Sequence, residues 1–361
     1  MSQAHDDPRP IGVLLVNLGS PSAPTTPAVR RYLRQFLSDP RVLDIPAPMR
    51  WLVLESAILP VRSRRSAALY RSIWDDNVGS PLLHHTRNLA ESVDESLGAG
   101  WVVRGAMRYG EPSIQSAWES LRASHVRQIV VVPLYPQETS STIGSVLDEI
   151  HRQASQDWVP TPMSVVPRFY DNAQFIEAWR TVASETLAVA NADHVLFSFH
   201  SIPQRHITKA DDTRAHCLVT EGCCELKDSP ISAGCYRAQC VRTANRLAGE
   251  LDLSEDAWSI SFQSRLGRIP WVQPYTDVEL DRLRAQGVRR LAVMCPAFVC
   301  DNLETVEEIG IRARRQWLNA GGHELILVPS LNAHPSWVEA VVGLVKGQVA
   351  ASNNPEPVDT H

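Results

Sequence analysis

Five cysteines crowd one short stretch of the chain, at Cys217, Cys223, Cys224, Cys235 and Cys240. Soft thiolates at such spacing select Zn²⁺ or an iron–sulfur cluster, and either asks for four ligands. Five unrelated thiols are the simpler alternative. His200 stands where the apolar run HVLFSFHSIP (194–203) gives out. An imidazole there can ligate a metal or accept a proton near neutral pH. In CPAFVCDNLETVEEI (295–309), Glu304 and Glu308 are four apart and share one helix face, with Asp301 and Glu307 close by. A row of carboxylates suits a divalent cation or a proton route, although a solvated acidic first turn has the same composition. Arg108-Tyr109 closes WVVRGAMRY (101–109), a cation and an aromatic that could hold a carboxylate substituent on an apolar ring. Trp271 lies in the Pro-punctuated SFQSRLGRIPWVQPYTD (261–277), where it could present an aromatic plane.

These residues need elements to position them. GVLLVNL (12–18), RQIVVVPLYP (127–136), HVLFSFHSIP and RRLAVMCPAF (289–298) read as buried strands. Helical stretches such as 114–123 and 277–286 lie between them, and the alternation predicts βαβ units with parallel sheets. The chain also repeats itself. LRASHVR (121–127) matches LRAQGVR (283–289) at five of seven positions, and VLLVNLGSP (13–21) matches VLFSFHSIP (195–203) in the same order. The expected architecture is therefore α/β, with two similar halves of parallel sheet flanked by helices. Ligands in such sheets bind beyond the carboxyl ends of the strands. No strand is followed by a G-x-G-x-x-G or G-x-x-x-x-G-K-[ST] loop, so no nucleotide cofactor is expected.

Composition narrows the class. The chain has 361 residues, 44% hydrophobic and 21% charged, which fits about two globular domains. A net charge of −5 argues against a nucleic-acid partner. The polar start MSQAHDDPRP and the lack of a long apolar run lead us to expect a cytoplasmic protein, in which the seven cysteines would not be a disulfide framework. We expect an N-terminal α/β domain over 1–160, a C-terminal one over 161–345 with its cysteine-rich insert near 213–240, and a polar tail over 346–361.

Seven segments converge on one family. LLVNLGSP, YLRQFLSDPRV, GSPL (79–82), PLYPQETSSTIGS, FSFHSIPQR, FQSRLGRIPWVQPYTD and CPAFVCDNLETVEEI together resemble ferrochelatase, the enzyme that inserts Fe²⁺ into a porphyrin, over about residues 11–345. The resemblance implies two Rossmann-like domains around a porphyrin cleft. It implies that His200 is the active-site histidine, Glu304 the acidic partner across the cleft, and Glu308 the next acidic residue. It also implies that Tyr70, Arg108, Tyr109, Trp271 and Leu18 surround the macrocycle. The stretch 46–65 resembles the lip of the cleft, apolar with a basic flank at Arg62, Arg64 and Arg65, which leaves room for peripheral membrane contact. Two departures stand out. Asn302 occupies a position where some relatives carry His. About twenty additional residues, roughly 213–234, hold most of the cysteines, and their likeness to the internal segment of cluster-bearing relatives tilts the metal from Zn²⁺ to [2Fe–2S]. Four of the five cysteines would ligate, with Cys240 the candidate fifth thiol. The implied substrates are Fe²⁺ and a porphyrin, protoporphyrin IX being favoured. The alternatives are coproporphyrin III, or a related tetrapyrrole chelatase for another divalent metal.

Overall fold

The chain builds one sheet twice. In a computed structural model, residues 7–225, 230–267 and 269–353 are described. The strands are β1 (Ile11–Gly19), β2 (Trp101–Tyr109), β3 (Gln128–Pro133), β4 (Met163–Val165), β5 (His194–His200), β6 (Trp258–Gln263), β7 (Arg290–Met294) and β8 (Glu324–Leu327). They form two four-stranded sheets, ordered β2-β1-β3-β4 and β6-β5-β7-β8, with every pairing parallel. The central strands β1 and β5 are buried along nearly their whole length, as expected of parallel sheets covered on both faces. The covering helices have amphipathic spacing. Helix Ile114–Ala123, for example, buries Ile114, Ala117, Trp118 and Leu121 and starts at Ser113, whose hydroxyl accepts from Ser116 N.

The duplication extends to loop detail. After β2 the Met107 N–H donates to Pro112 O at 2.7 Å, and after β6 the Phe262 N–H donates to Pro274 O at 2.7 Å. After β3 and after β7 the chain enters a π-helical segment, Ser140–Gly144 and Leu303–Ala313, each opened by a capping box, at Thr139 and Asn302.

Two expected boundaries move. β4 lies after residue 160 yet completes the first sheet by pairing with β3. It has three half-buried residues, too few to show a period in sequence. The stretch from 346, expected to be tail, is helical through Asn353, because helix Pro335–Asn353 runs through that point with Val345 buried and Val349 against the core. This helix packs on helix Pro81–Leu97 and on β3 and β4, so the chain's last described element returns to the first sheet. Residues 354–361 lie outside the described residues.

The two halves are joined by polar contacts. Gln137 Nε2 donates to Thr243 Oγ1 at 3.0 Å, and Glu138 N donates to Gln239 Oε1 at 2.7 Å. Asp44 pairs with Arg205 and Lys209 of helix Gln204–Ala210. Asp44 precedes the lip, a rod made of helix Ala47–Val53, π-turn Leu54–Ile58 and helix Leu59–Ile73. Met49, Trp51, Leu52 and Val61 of the lip are exposed, as are Arg64 and Arg65. Among the described residues no helix is long and apolar enough to cross a membrane.

β1 ends at Gly19, where the backbone has φ +120° and a Cβ would stand 1.8 Å from the Tyr109 carbonyl oxygen. Strain and clash coincide, so Gly19→Ala is expected to cost about 2 kcal/mol or more. Urea unfolding of the variant beside the parent measures this, and equal midpoints would show that the β1–β2 ends tolerate a side chain.

Candidate active site

The carboxyl ends of β5, β6 and β7 converge on His200. It is the last residue of β5, paired in register with Gln263 at the end of β6. Its Nδ1 lies 2.5 Å from the Ser201 carbonyl oxygen. A carbonyl can only accept, so Nδ1 carries the proton and Nε2 keeps its lone pair. Burial pushes the imidazole pKa down, outweighing the opposing pull of Glu308 and of the Ser201 bond. The ring is therefore neutral at physiological pH, and it meets Phe298 edge-on with centroids 6.2 Å apart.

Glu304 and Glu308 sit on the π-helical segment Leu303–Ala313. The wider i→i+5 turn still stacks residues four apart, so the shared face expected of an α-helix survives. Asn302 caps the segment, accepting from Glu304 N at 2.9 Å and Thr305 N at 3.0 Å. Gln263 ties it to β6, donating from Nε2 to Glu304 O at 2.8 Å while Ser198 Oγ donates to its Oε1. Burial, then the nearby Glu308 charge, raise the Glu304 pKa to about 7. Glu308 is held at both oxygens, accepting from Ser264 N at 2.9 Å and Ser264 Oγ at 2.5 Å. Of the neighbouring acids, Glu307 is buried in an ion pair with Arg312 at 2.8 Å, and Asp301 is spent on Thr305 and Asn332. The sequence does not separate these four carboxylates; their partners do.

The opposite wall comes from the first half. Leu18, Tyr70 and Tyr109 share an apolar cluster with Leu303, the neighbour of Glu304. Tyr70 is almost fully buried, and burial together with the Glu304 charge raises its pKa. Arg108 and Tyr109 are braced rather than free. Arg108 donates to Asp39 Oδ2 at 2.9 Å and to Ser145 O, and the Tyr109 hydroxyl donates to the same Asp39 oxygen at 2.8 Å. Arg62, on the lip helix, is half-buried with no ion-pair partner among the described residues, and burial lowers its pKa. Trp271 is held beside the end of β5 by a bridge to Pro203 and by Nε1 donating to Leu266 O at 2.7 Å.

The repeat explains this division. The β1 and β5 match sets Leu18 against His200, and the two capped π-segments set Ser145 against Glu308. In the first half Tyr109 contacts Ser145 at 3.0 Å; in the second Ser264 holds Glu308 in the same place. Of the matched positions, the titratable His200 and Glu308 are on the second half. The sequence alone does not single out Asp39, Ser145, Gln263 or Ser264. Asp39 lies in a quoted motif, but its partners are 69 and 106 residues away, and no local spacing announces them.

The cysteines form a second centre. All five are buried. Cys223 and Cys224 Sγ are 3.9 Å apart, Cys217 contacts Cys235, and Cys224 contacts Cys235. The Asp211 carboxylate shapes the approach by accepting from His216 N and Cys217 N at 2.9 and 2.8 Å. Arg237 Nη1 donates to Cys224 Sγ at 3.0 Å, and Cys235 stands at the N-cap of helix Tyr236–Glu250. Burial raises the pKa of Cys217 and Cys223, and the Cys235 contact followed by burial raises that of Cys224. A cation and a helix N-terminus facing buried thiols favour thiolate once a metal binds, so the donor set fits a soft metal or cluster. Among the described residues, no three Cys, His, Asp or Glu side chains already stand in the arrangement of a metal site. Part of the insert, 226–229, lies outside the described residues.

Known proteins resemble this chain along nearly its whole length. The family model described as Ferrochelatase matches residues 10–349. The chain is 46% identical over 339 residues to the ferrochelatase of Coxiella burnetii (strain Dugway 5J108-111), covering 93% of each. It is 48% identical over 332 residues to that of Stutzerimonas stutzeri (strain A1501), covering 92% of this chain and 96% of the relative. Among solved structures, SirB from Bacillus subtilis with Fe³⁺ superposes with a TM-score of 0.53 at 13% identity, over 97% of this chain and 100% of that one, a likeness of fold alone.

A raised carboxyl pKa means that the folded state keeps a proton which the unfolded chain releases. Glu304 therefore costs stability as pH rises from its unfolded value of 4.5 through about 7. Glu304→Gln removes that cost. The variant is expected to melt above the parent at alkaline pH and to converge with it in acid. A gap that does not change with pH in thermal melts would mean that Glu304 titrates as an ordinary solvated carboxylate.

Proposed function

The chain belongs to the ferrochelatase family and is an enzyme that inserts metal into a porphyrin; on that premise we propose that Fe²⁺ enters protoporphyrin IX here, with His200 and Glu304 taking the two pyrrole protons. The observation that carries this reading is a neutral imidazole, its Nε2 lone pair free, at the strand end that Gln263 ties to the segment bearing Glu304, a carboxyl whose pKa is about 7. An imidazole kept neutral by burial and a carboxyl with its pKa raised to about 7 suit the removal of two weakly acidic N–H protons. Glu308, anchored by Ser264, is the next group along the same face and gives the second proton a route away from the ring.

Metal insertion also requires the ring to leave planarity, because a flat macrocycle hides its nitrogen lone pairs. Binding energy from the walls supplies that distortion. Leu18, Tyr70 and Tyr109 form one wall, stiffened by Asp39 and Ser145, and Trp271 flanks the other. Arg62, a half-buried cation with no carboxylate partner among the described residues, is placed to meet a propionate, whereas Arg108 already has its counter-charge in Asp39. An apolar lip with few such cations suits protoporphyrin IX, which carries fewer carboxylates than coproporphyrin III. The same lip, with Trp51 65% exposed and Arg64 and Arg65 beside it, suits peripheral contact with a membrane surface of a cytoplasmic enzyme.

For the cysteine centre we favour [2Fe–2S] held by Cys217, Cys223, Cys224 and Cys235. These four residues would hold it through their thiolates, since Cys223 contacts Cys224 and Cys235 contacts both Cys217 and Cys224. Cys240 lies one turn into the helix, against Tyr236, and is the thiol left over. When bound, the cluster supplies a redox-active crosslink; proton removal at His200 and Glu304 needs no electron from it.

Anaerobic insertion assays with Fe²⁺ and each porphyrin test the central reading. Protoporphyrin IX is expected to react faster than coproporphyrin III, and His200→Ala to lose on the order of 10² to 10⁴ in rate. Activity within about threefold of the parent would remove His200 from the chemistry, since a general base is worth far more than that. Protein purified under argon is expected to be red-brown, with Cys217→Ser bleaching it. Colourless protein carrying one zinc per chain would replace the cluster with a structural zinc site and leave the insertion chemistry standing.

A further inference from the structure

Helix Tyr236–Glu250 begins between the two centres. Tyr236 follows Cys235 directly, is buried, and donates from its hydroxyl to the His200 carbonyl oxygen at 2.7 Å. That carbonyl lies where the sheet gives out. β5 pairs with β6 as far as His200–Gln263, but its pairing with β7 stops at Phe197–Met294. The peptide that Tyr236 holds joins His200 to Ser201, and Ser201 is the residue whose carbonyl fixes the His200 ring through Nδ1. One phenolic hydroxyl thus steadies the backbone on which the tautomer and aim of the imidazole depend. On its other side the same turn of helix is set by thiols. Cys235 contacts Cys217 and Cys224, and Cys240 contacts Tyr236 itself.

We propose that Tyr236 is a positioning residue through which the thiol centre governs His200: metal bound at Cys235 pins the helix start, the helix start holds the Tyr236 hydroxyl on the His200 carbonyl, and loss of metal slackens that grip without touching the porphyrin-binding walls. The inference rests on the reading of the cysteines as a metal centre. Metal coordination is folding free energy for the segment that supplies the ligands, so an N-cap residue that is also a ligand loses its anchor when the metal leaves. The two centres are then coupled thermodynamically, and the coupling should vanish when the hydroxyl is removed.

The test compares four forms of the full-length enzyme: parent and Tyr236→Phe, each as purified under argon and after metal depletion with a chelator. Fe²⁺ insertion into protoporphyrin IX gives kcat and KM, and NMR of ring-labelled histidine follows His200, assigned by its absence in His200→Gln. Tyr236→Phe is expected to lower kcat about five- to tenfold at unchanged KM, the scale of one lost buried hydrogen bond. Depletion of the parent should do the same and shift the His200 resonance, while depletion of Tyr236→Phe should change neither further. A Tyr236→Phe enzyme with parental kcat, or effects of variant and depletion that multiply, overturns the coupling while leaving the metal reading intact. A parent that binds no metal overturns both. If Tyr236→Phe fails to fold, depletion of the parent decides alone: a shifted His200 resonance at unchanged KM supports the coupling, and an unmoved one overturns it.

Discussion

Desolvation of two titratable groups is the constraint on which this structure turns. A buried imidazole or carboxyl would ordinarily seek an ion-pair partner. Here His200 donates a hydrogen bond from Nδ1 to a backbone carbonyl, and the Glu304 backbone, rather than its carboxylate, is what Gln263 grips. Neither side chain is neutralised by a cation among the described residues, so burial drives both toward their uncharged forms, the imidazole down and the carboxyl up to about 7. The supports around them are almost all neutral donors: Gln263, Ser198, Ser264 and Tyr236. Charged supports would have pulled these pKa values back.

The duplicated architecture makes such a site affordable. Two copies of one sheet bring two sets of strand ends together, and the copies have diverged in purpose. The first carries Leu18, Tyr109 and Ser145 at positions matched by His200, Ser264 and Glu308 in the second. Its polar groups are locked by Asp39 into a rigid wall. A stiff wall opposite a reactive one is what distortion of a planar ligand requires, because a compliant wall would yield before the ligand did.

The cysteines pack against this frame as part of its main apolar cluster. Their loop is shaped by Asp211 and by that packing, and it reaches the reactive wall through the start of helix Tyr236–Glu250. A centre that took no part in the chemistry could have been placed anywhere on the surface. Its position one residue from the hydroxyl that holds the His200 carbonyl is the feature an account of its purpose must address.

Much of this was legible in the linear sequence. Apolar runs of β-branched residues and internal matches at five of seven positions determined two parallel-sheet halves, because strand burial and helix amphipathicity are written in local periodicity. The same text placed His200 at a strand end, put Glu304 and Glu308 on one face, and marked the cysteines as a group. It could not find β4, whose three residues carry no period, or see that helix Pro335–Asn353 continues past 346 and closes over the first sheet. Nor could it sort four neighbouring acids into one with a raised pKa, one anchored by Ser264 and two held by Arg312 and Asn332, since the fold assigns those partners. Asp39 with Ser145, and Tyr236 with His200, are separated by 106 and 36 residues. Hydrogen bonds at such range leave no local trace in sequence; only the tertiary packing within each half decided them.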